Sequence, residues 1–246
     1  MSAIIKIEEL KRDFVVGSET VHALRGVSFE IQSGEFVSIM GTSGSGKSTM
    51  LNILGCLDQP TSGKYYIDGI EVSKCSSDEL SMIRNRKIGF VFQSYNLLPR
   101  TTSIEQVELP LLYNNTVSAA ERHERAEHAL ELVGMENRRN HTPNQMSGGQ
   151  QQRIAIARAL VNDPVILLAD EATGNLDTRT SYEIMSLFQR LNESGKTIGF
   201  VTHEPDIALF TKRTVMLRDG RVMKDYPIET QSAQAALDAL PASDDY

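Results

Sequence analysis

The stretch GTSGSGKS at residues 41–48 is the most informative part of this chain of 246 residues. It fits the pattern G-x-x-x-x-G-K-[ST], in which glycines permit a tight turn and backbone N–H groups point inward at phosphate oxygens. A strand pattern precedes it at 35–40, and apolar residues with helical spacing follow it from Met50 to Leu57. The positive end of such a helix favours an anion. The stretch therefore predicts a phosphate-binding loop and argues against a glycine-rich turn that matches by accident.

The loop and the first turn of the helix supply the expected phosphate- and nucleotide-binding residues. These are Gly41, Ser43, Gly44, Ser45, Gly46, Lys47, Ser48 and Thr49. We expect the ammonium group of Lys47 to reach the β- and γ-phosphates and the hydroxyl of Ser48 to ligate Mg²⁺.

Two carboxylates follow a continuous apolar run at 165–169, which is typical of a strand buried on both faces. Taken alone, Asp170 and Glu171 would be read as a loop charge pair. Ligands of open α/β sheets bind at the carboxyl ends of the strands, where the phosphate-binding loop also lies. Beside that loop, Asp170 is expected to hold Mg²⁺ through water and Glu171 to polarise an attacking water.

Strand and helix patterns alternate before and after a middle region that is mainly helical. The predicted strands are 4–10, 27–31, 35–40, 88–92, 165–169, 197–202 and 214–218, with a hairpin near Asp68-Gly69. This alternation predicts an α/β core with a mainly parallel sheet. We divide the chain into a core (1–93 and 151–224), a helical insertion (94–150) and a tail (225–246). The tail carries apolar residues in helical register and is expected to be a short surface helix, with docking on the domain or a partner as the alternative.

Composition narrows the class of protein. The net charge is −7 and no long basic run occurs, so electrostatic binding to nucleic acid is not indicated. No stretch approaches the roughly 18 apolar residues of a membrane span, and we expect a cytoplasmic protein that would need a protein partner to work at a membrane. Cys56 and Cys75 have no metal-ligand spacing and suit a reducing compartment.

A third motif separates this chain from the many ATPases and GTPases that share the first two. Met146-Ser147-Gly148-Gly149-Gln150 stands just before an Ile- and Ala-rich helical segment at 153–161. It resembles the signature motif of the ABC family, in which leucine stands where this chain has Met146. A helix N-terminus with glycines and a serine can bind an anion. Over about residues 3–224 the chain resembles ATP-binding subunits of ABC transporters.

The resemblance implies the fold and further site residues. The fold would be a P-loop NTPase core with an N-terminal antiparallel β-subdomain and an inserted helical subdomain. Gln93 would sense Mg²⁺ and couple to the helical subdomain, Asp177 would belong to the D-loop, and His203 would lie at the γ-phosphate. Phe14 stands where the family places an aromatic ring that stacks on adenine, although it could equally be a core residue.

The resemblance also implies a head-to-tail dimer that binds ATP and Mg²⁺. Each ATP would lie between Lys47 of one copy and Ser147 and Gly149 of the other. Hydrolysis would reopen the dimer, and this cycle of opening and closing would be the mechanical output.

Several stretches resemble one branch of the family, the ATPases of lipoprotein-releasing, macrolide-exporting and cell-division-type permeases. They are residues 54–58, 60–63, 92–99, 109–112 and 174–177. This implies a permease partner with an extracytoplasmic domain, whose coupling helix enters a cleft in the helical region. The chain would then lie at the cytoplasmic face of the inner membrane.

Alternatives remain at this stage. An importer subunit is the nearest rival, followed by an ABC ATPase without a membrane partner that acts on DNA or ribosomes. A kinase or GTPase would leave residues 147–150 and His203 unexplained.

Besides Met146, Ala172 departs from the family, which has proline after the catalytic glutamate. Because proline would fix the backbone there, we expect a modest effect of Ala172 on rate.

Overall fold

Two β-sheets and eight α-helices form the part of the chain that the computed structural model describes, residues 3–114 and 116–241. The strands are β1 (Ala3–Val16), β2 (Glu19–Gln32), β3 (Phe36–Met40), β4 (Ser62–Ile67), β5 (Ile70–Glu71), β6 (Ile88–Phe92), β7 (Ile166–Asp170), β8 (Ile198–Thr202), β9 (Arg213–Arg218) and β10 (Arg221–Pro227). The helices are α1 (Lys47–Leu54), α2 (Ser77–Lys87), α3 (Ser103–Glu108), α4 (Ala119–Leu132), α5 (Gly148–Leu160), α6 (Thr178–Glu193), α7 (Pro205–Ala208) and α8 (Ala233–Asp238).

The central sheet has the strand order β10-β9-β3-β8-β7-β6. The strands from β9 to β6 are parallel, and only β10 runs antiparallel to its neighbour. Every residue of β3 and β8 is buried, as expected for strands covered on both faces. The predicted α/β core with a mainly parallel sheet is confirmed.

The second sheet is antiparallel, with the order β2-β1-β4-β5. The predicted strands at 4–10 and 27–31 are parts of two longer strands that meet in a turn at Gly17. The predicted strands are too short, because residues 14–22 are largely exposed and carry no alternation of apolar and polar residues. The outer part of this hairpin is held by hydrogen bonds between β1 and β2 and not by burial of side chains.

Two apolar clusters cover opposite faces of the central sheet, because side chains alternate along each strand. Within β7, Ile166 and Leu168 face a cluster shared with α1 and the antiparallel sheet, while Leu167 and Ala169 face a cluster shared with α5 and α6. Helix α1 therefore lies between the two sheets. Its first residue, Lys47, directly follows the loop after β3.

Helix α2 was not predicted from the sequence. Only Leu80 and Ile83 are buried along it, so its apolar periodicity is weak. Its start is instead marked by a capping box, in which Ser76 and Glu79 bond each other's backbone N–H, and basic residues occupy its last turn. Helix α4 starts differently, since Ser118 caps it but the Glu121 carboxylate pairs with Arg125.

The tail packs against α6. Ala233, at the start of α8, is fully buried, and its N–H donates to Gln189 Oε1 at 2.9 Å. Near the end of the described chain, the Arg179 guanidinium donates to the carbonyl oxygen of Pro241 at 2.6 Å. Up to residue 241 the tail therefore docks on the domain, as the alternative prediction had it. The acidic end at 242–246 lies outside the described residues. Among the described helices, none combines the length and apolar character that crossing a membrane requires.

Candidate functional site

The loop between β3 and α1 has the backbone geometry of a phosphate cradle. Gly44 and Gly46 have positive φ angles of 77° and 102°, a region that favours glycine. A Cβ atom at Gly46 would lie 2.7 Å from the carbonyl oxygen of Ala23, so no other residue fits between the loop and β2. Behind the loop, the buried hydroxyl of Ser45 has no hydrogen-bond partner among the described atoms.

A cavity of about 1080 Å³ opens over this loop. The loop residues that line it are Gly41, Thr42, Ser43, Gly44, Gly46, Lys47, Ser48 and Thr49. Glu171 and His203, which are distant in sequence, line the same cavity. The structure thus brings the predicted phosphate loop, Glu171 and His203 to one place.

Lys47 is the buried cation of the cavity. Its side chain is 8% exposed, and Nζ donates to the carbonyl oxygens of Gly41 and Thr42 at 2.7 and 3.0 Å. The ammonium group is held above the loop by these two bonds. A cation beside converging backbone N–H groups is suited to phosphate oxygens.

Asp170 is the last residue of β7, and Glu171 follows it. Burial raises the pKa of Asp170, and the neighbouring Glu171 raises it further, while Lys47 acts in the opposite direction. Glu171 has a φ of 45°, which is uncommon for a residue other than glycine. This turn directs its carboxylate to the cavity, where Oε1 lies 2.8 Å from Nδ1 of His203.

The turn after Glu171 is held by bonds that the sequence did not reveal. The carbonyl oxygen of the buried Ala172 accepts a hydrogen bond from Gln152 Nε2 at 2.8 Å. The Gly174 N–H donates to the carbonyl oxygen of Glu171 at 2.9 Å. Although alanine lacks the rigid ring of proline, this turn is fixed from two sides.

The predicted metal ligands offer oxygen atoms only. They are the hydroxyl of Ser48, the carboxylate of Asp170 and the side-chain carbonyl of Gln93, and oxygen is the donor that Mg²⁺ prefers. Asp170 lies close enough to Lys47 for the two charges to interact, and Ser48 follows Lys47 directly on the cavity wall. The chemistry of this donor set fits Mg²⁺ held beside a bound phosphate.

Gln93 and Asp177 are not among the residues that line this cavity; they lie in the segments that follow β6 and β7. Gln93 follows β6, and its side-chain amide contacts Asn175. Asp177 caps α6: its Oδ1 accepts from the Thr180 N–H at 3.0 Å and its Oδ2 from the Thr180 hydroxyl at 2.6 Å. These bonds lower the pKa of Asp177.

The MSGGQ segment forms the start of α5. Ser147 and Gln150 make a capping box, with the Ser147 hydroxyl accepting from the Gln150 N–H at 3.3 Å and Gln150 Oε1 accepting from the Ser147 N–H at 3.1 Å. None of the residues 147–150 lines the cavity over the phosphate loop in the described part of the chain. The two predicted anion-binding segments of one copy are therefore separate.

Phe14 lies on β1 opposite Val21, which lines the cavity. Its side chain is 36% exposed and does not belong to either apolar cluster. The guanidinium carbon of Arg12 lies 4.5 Å from the centre of its ring, and Asp58 fixes that guanidinium through two hydrogen bonds. The ring is thus held at the outer edge of the cavity, next to one of its walls.

Three ionisable residues of the cavity were not identified as candidate site residues from the sequence. His22 and Arg25 come from β2 and Asp219 from the turn after β9. His22 Nδ1 lies 2.8 Å from Asp13 Oδ1, and the Arg25 N–H donates to the carbonyl oxygen of Gly220 at 2.8 Å. No local motif marks these positions, because strand pairing and packing between the two sheets bring them to the loop.

Comparison with known proteins identifies the family of this chain. The model of the family described as "ABC transporter" matches residues 24–174. An uncharacterized ABC transporter ATP-binding protein of Thermotoga maritima is 56% identical over 222 residues, which are 90% of this chain and 94% of that protein. A macrolide export ATP-binding/permease protein MacB of Syntrophobacter fumaroxidans is 50% identical over 88% of this chain, but this match spans only 31% of MacB.

A solved structure of an ABC cassette has a similar fold. The dimeric post-hydrolysis state of the ATP-binding cassette MJ0796 bound to ADP and Pi superposes with a TM-score of 0.83 at 49% identity, covering 92% of this chain and all of that one. The uncharacterized ABC transporter ATP-binding protein MJ0796 comes from Methanocaldococcus jannaschii. The predicted fold class and the predicted ATPase activity are confirmed by these similarities. The chain belongs to the ABC transporter family and is one of its ATP-hydrolysing, ATP-binding proteins.

Proposed function

We propose that this chain powers a membrane permease of the export or mechanotransmission type by ATP-driven dimerisation, at the cytoplasmic face of the membrane. One observation carries the proposal. The cavity over the phosphate loop contains Lys47 and Glu171 but none of residues 147–150, which form a second anion-binding helix start elsewhere on the same copy. In a head-to-tail dimer, the helix start of one copy would complete the cavity of the other. The dimer of the related cassette bound to ADP and Pi supports this arrangement.

Within one copy, the residues divide the work of hydrolysis. The loop N–H groups and Lys47 bind the β- and γ-phosphates, while Ser48, Asp170 and Gln93 would hold Mg²⁺, which neutralises developing charge on the phosphate oxygens. Glu171 accepts a hydrogen bond from the attacking water and takes up its proton. His203, 2.8 Å from Glu171, holds that carboxylate in position beside the γ-phosphate.

The second copy closes the site. We assign to its Ser147 hydroxyl, and to the N-terminus of its α5, the role of binding the γ-phosphate from the opposite side. Gly149 leaves no room for a side chain, since a Cβ atom there would lie 2.4 Å from Thr180 Cγ2. Close packing of α5 on α6 thus joins this helix start to the segment that contains Asp177.

Phe14→Ala is expected to weaken ATP binding by about tenfold with little loss of turnover at saturating ATP, because one aromatic ring stacked on a base contributes about 1–3 kcal/mol. Titration of labelled ATP with the purified variant measures this. The matched control is Val15→Ala, which shortens an exposed neighbouring side chain on the same strand. If Phe14→Ala and wild type bound ATP with equal affinity, Phe14 would have no role in binding adenine and would only pack against Arg12.

A second cavity, of about 960 Å³, suits the permease partner. We assign residues 1–93 and 151–224 to the nucleotide-binding core, 94–150 to a helical subdomain and 225–246 to a tail. The cavity is a groove between the core and the helical subdomain. Its rim carries exposed apolar side chains, Met82 at 51% and Tyr113 at 76% exposure. A groove of this size with apolar side chains at its rim fits one short amphipathic helix.

The groove is positively charged in a chain whose net charge is −7. Its described lining includes Arg84, Arg86 and Arg158, and no carboxylate. Burial lowers the pKa of Arg158, and among the described residues its guanidinium donates to two carbonyl oxygens, those of Asn96 at 2.6 Å and Tyr95 at 2.8 Å. A carboxylate on the docked helix would complement these charges. Because Tyr95 and Asn96 follow Gln93 closely, the groove is joined to the ATP site.

The proposal is tested by recovering the permease with tagged Glu171→Gln and ATP from gently solubilised native membranes. We expect a permease with an extracytoplasmic domain, and we expect Arg86→Glu in the same background to recover at least about tenfold less of it, since about 1.4 kcal/mol of lost attraction suffices for that factor. Arg221→Glu is the control, an equal charge change at an exposed position outside the groove.

The other outcomes have definite meanings. A permease without an extracytoplasmic domain, together with a substrate-binding protein, would favour an importer. A soluble partner, or no partner, would favour an ABC ATPase that acts without a membrane protein. Equal recovery by Arg86→Glu and Arg221→Glu would reject the groove as the docking surface.

A further inference from the structure

Gln93 and Asn175 are joined by two hydrogen bonds, although they are 82 positions apart in the sequence. Asn175 Nδ2 donates to the backbone carbonyl oxygen of Gln93 at 3.1 Å. Gln93 Nε2 donates to Asn175 Oδ1 at 3.3 Å. The two loops that follow β6 and β7 are thereby connected at one point.

This pair of bonds fixes the orientation of both side-chain amides. A backbone carbonyl can only accept, so the Asn175 atom that faces it must be the nitrogen. The other Asn175 atom is then the oxygen, which can only accept, so Gln93 must present its own nitrogen to it. The carbonyl oxygen of the Gln93 side chain is left without a bond to Asn175.

The approach between the two loops depends on Gly174. A Cβ atom at this position would lie 2.7 Å from Gln93 Nε2, so any larger residue would displace the glutamine amide. Gly174 and Asn175 belong to the short segment that begins at Glu171 and ends at Asp177, the cap of α6. Through Asn175, the position of Gln93 is therefore tied to the loop that carries the catalytic carboxylate.

We propose that Asn175 is a positioning residue, which holds the Gln93 side chain so that its carbonyl oxygen, and not its amide nitrogen, faces the Mg²⁺ of bound Mg-ATP. The inference rests on the proposed role of Gln93 as a metal ligand. The nitrogen end of an amide cannot bind a cation, so a freely rotating glutamine would present its ligand atom for only part of the time. Asn175 removes this freedom.

The test measures binding, in the Glu171→Gln background where ATP is not consumed. For each variant, the affinity for ATP is measured by titration with 5′-labelled nucleotide, once with excess Mg²⁺ and once with a chelator, at about 25 °C. Their ratio is the gain in affinity due to the metal. Asn175→Ala is expected to reduce this gain by about three- to tenfold, because a neutral hydrogen bond contributes about 0.5–1.5 kcal/mol, while the affinity without Mg²⁺ stays within twofold.

Gln93→Ala provides the matched background. It is expected to reduce the gain at least as much as Asn175→Ala does, and Asn175→Ala should add nothing once Gln93 is absent. An undiminished gain in Asn175→Ala, with a diminished gain in Gln93→Ala, would overturn the positioning role alone. An undiminished gain in Gln93→Ala would overturn the proposed metal ligand and the inference with it. Equal losses with and without Mg²⁺ would reduce Asn175 to a structural residue.

Discussion

Replacing Glu171 by glutamine is expected to lower ATP turnover by about 10²–10⁴-fold, the range that a positioned general base contributes, while ATP still binds. The variant keeps the shape of the side chain but cannot accept the proton of the attacking water. Glutamine Oε1 can still accept a hydrogen bond from His203, whose Nδ1 lies 2.8 Å from the carboxylate in the wild type. The phosphate loop and Lys47 are untouched, so nucleotide affinity is retained. Phosphate release at saturating ATP measures the loss.

The same variant is expected to accumulate as a dimer when ATP and Mg²⁺ are present. Because the proposed site is divided between Lys47 of one copy and Ser147 of the other, we expect unhydrolysed ATP to join the two copies. Light scattering after size-exclusion chromatography reports the mass with and without ATP. Glu193→Gln, which makes the same change at an exposed position near the end of α6, should remain like wild type. A Glu171→Gln protein that stays monomeric at saturating ATP would contradict the shared site.

The parts of the site that the sequence predicted are those encoded locally. The phosphate loop needs glycines and a lysine at fixed spacing between a strand and a helix, and residues 41–48 supply all of them. Asp170 and Glu171 are marked by the buried strand that ends there. For Gln93, Asp177 and His203, local pattern alone was insufficient, and their assignment came from the family resemblance.

The parts that could not be predicted depend on contacts between distant residues. The bond from Gln152 to Ala172 spans 20 positions and the one from Asn175 to Gln93 spans 82. No hydrophobic periodicity or local motif in the sequence predicts such pairs. Helix α2 was missed for a different reason. It buries only Leu80 and Ile83, so it is marked by its capping residues and charges and not by apolar periodicity. The sheet order likewise follows from how the strands pack, and the sequence pattern predicted only that they exist.

Lys47→Ala is expected to weaken ATP binding by at least about 100-fold. Charge-assisted hydrogen bonds contribute about 1.5–3 kcal/mol each, and the ammonium group of Lys47 can make two to the β- and γ-phosphates. In the structure its partners are the carbonyl oxygens of Gly41 and Thr42, at 2.7 and 3.0 Å. Removal of the cation would also leave these two oxygens without their donor. Titration with labelled ATP measures the change.

Lys47→Met separates charge from packing. Methionine replaces most of the buried stem, which is 8% exposed in the wild type, but carries no charge. We expect Lys47→Met and Lys47→Ala to bind ATP equally poorly, with Lys47→Met closer to wild type in its thermal unfolding temperature. Either change in the Glu171→Gln background should abolish the ATP-dependent dimer, because ATP would no longer be held on the surface that the second copy must meet. A dimer that persisted without Lys47 would mean that contacts between the two copies, and not ATP, hold them together.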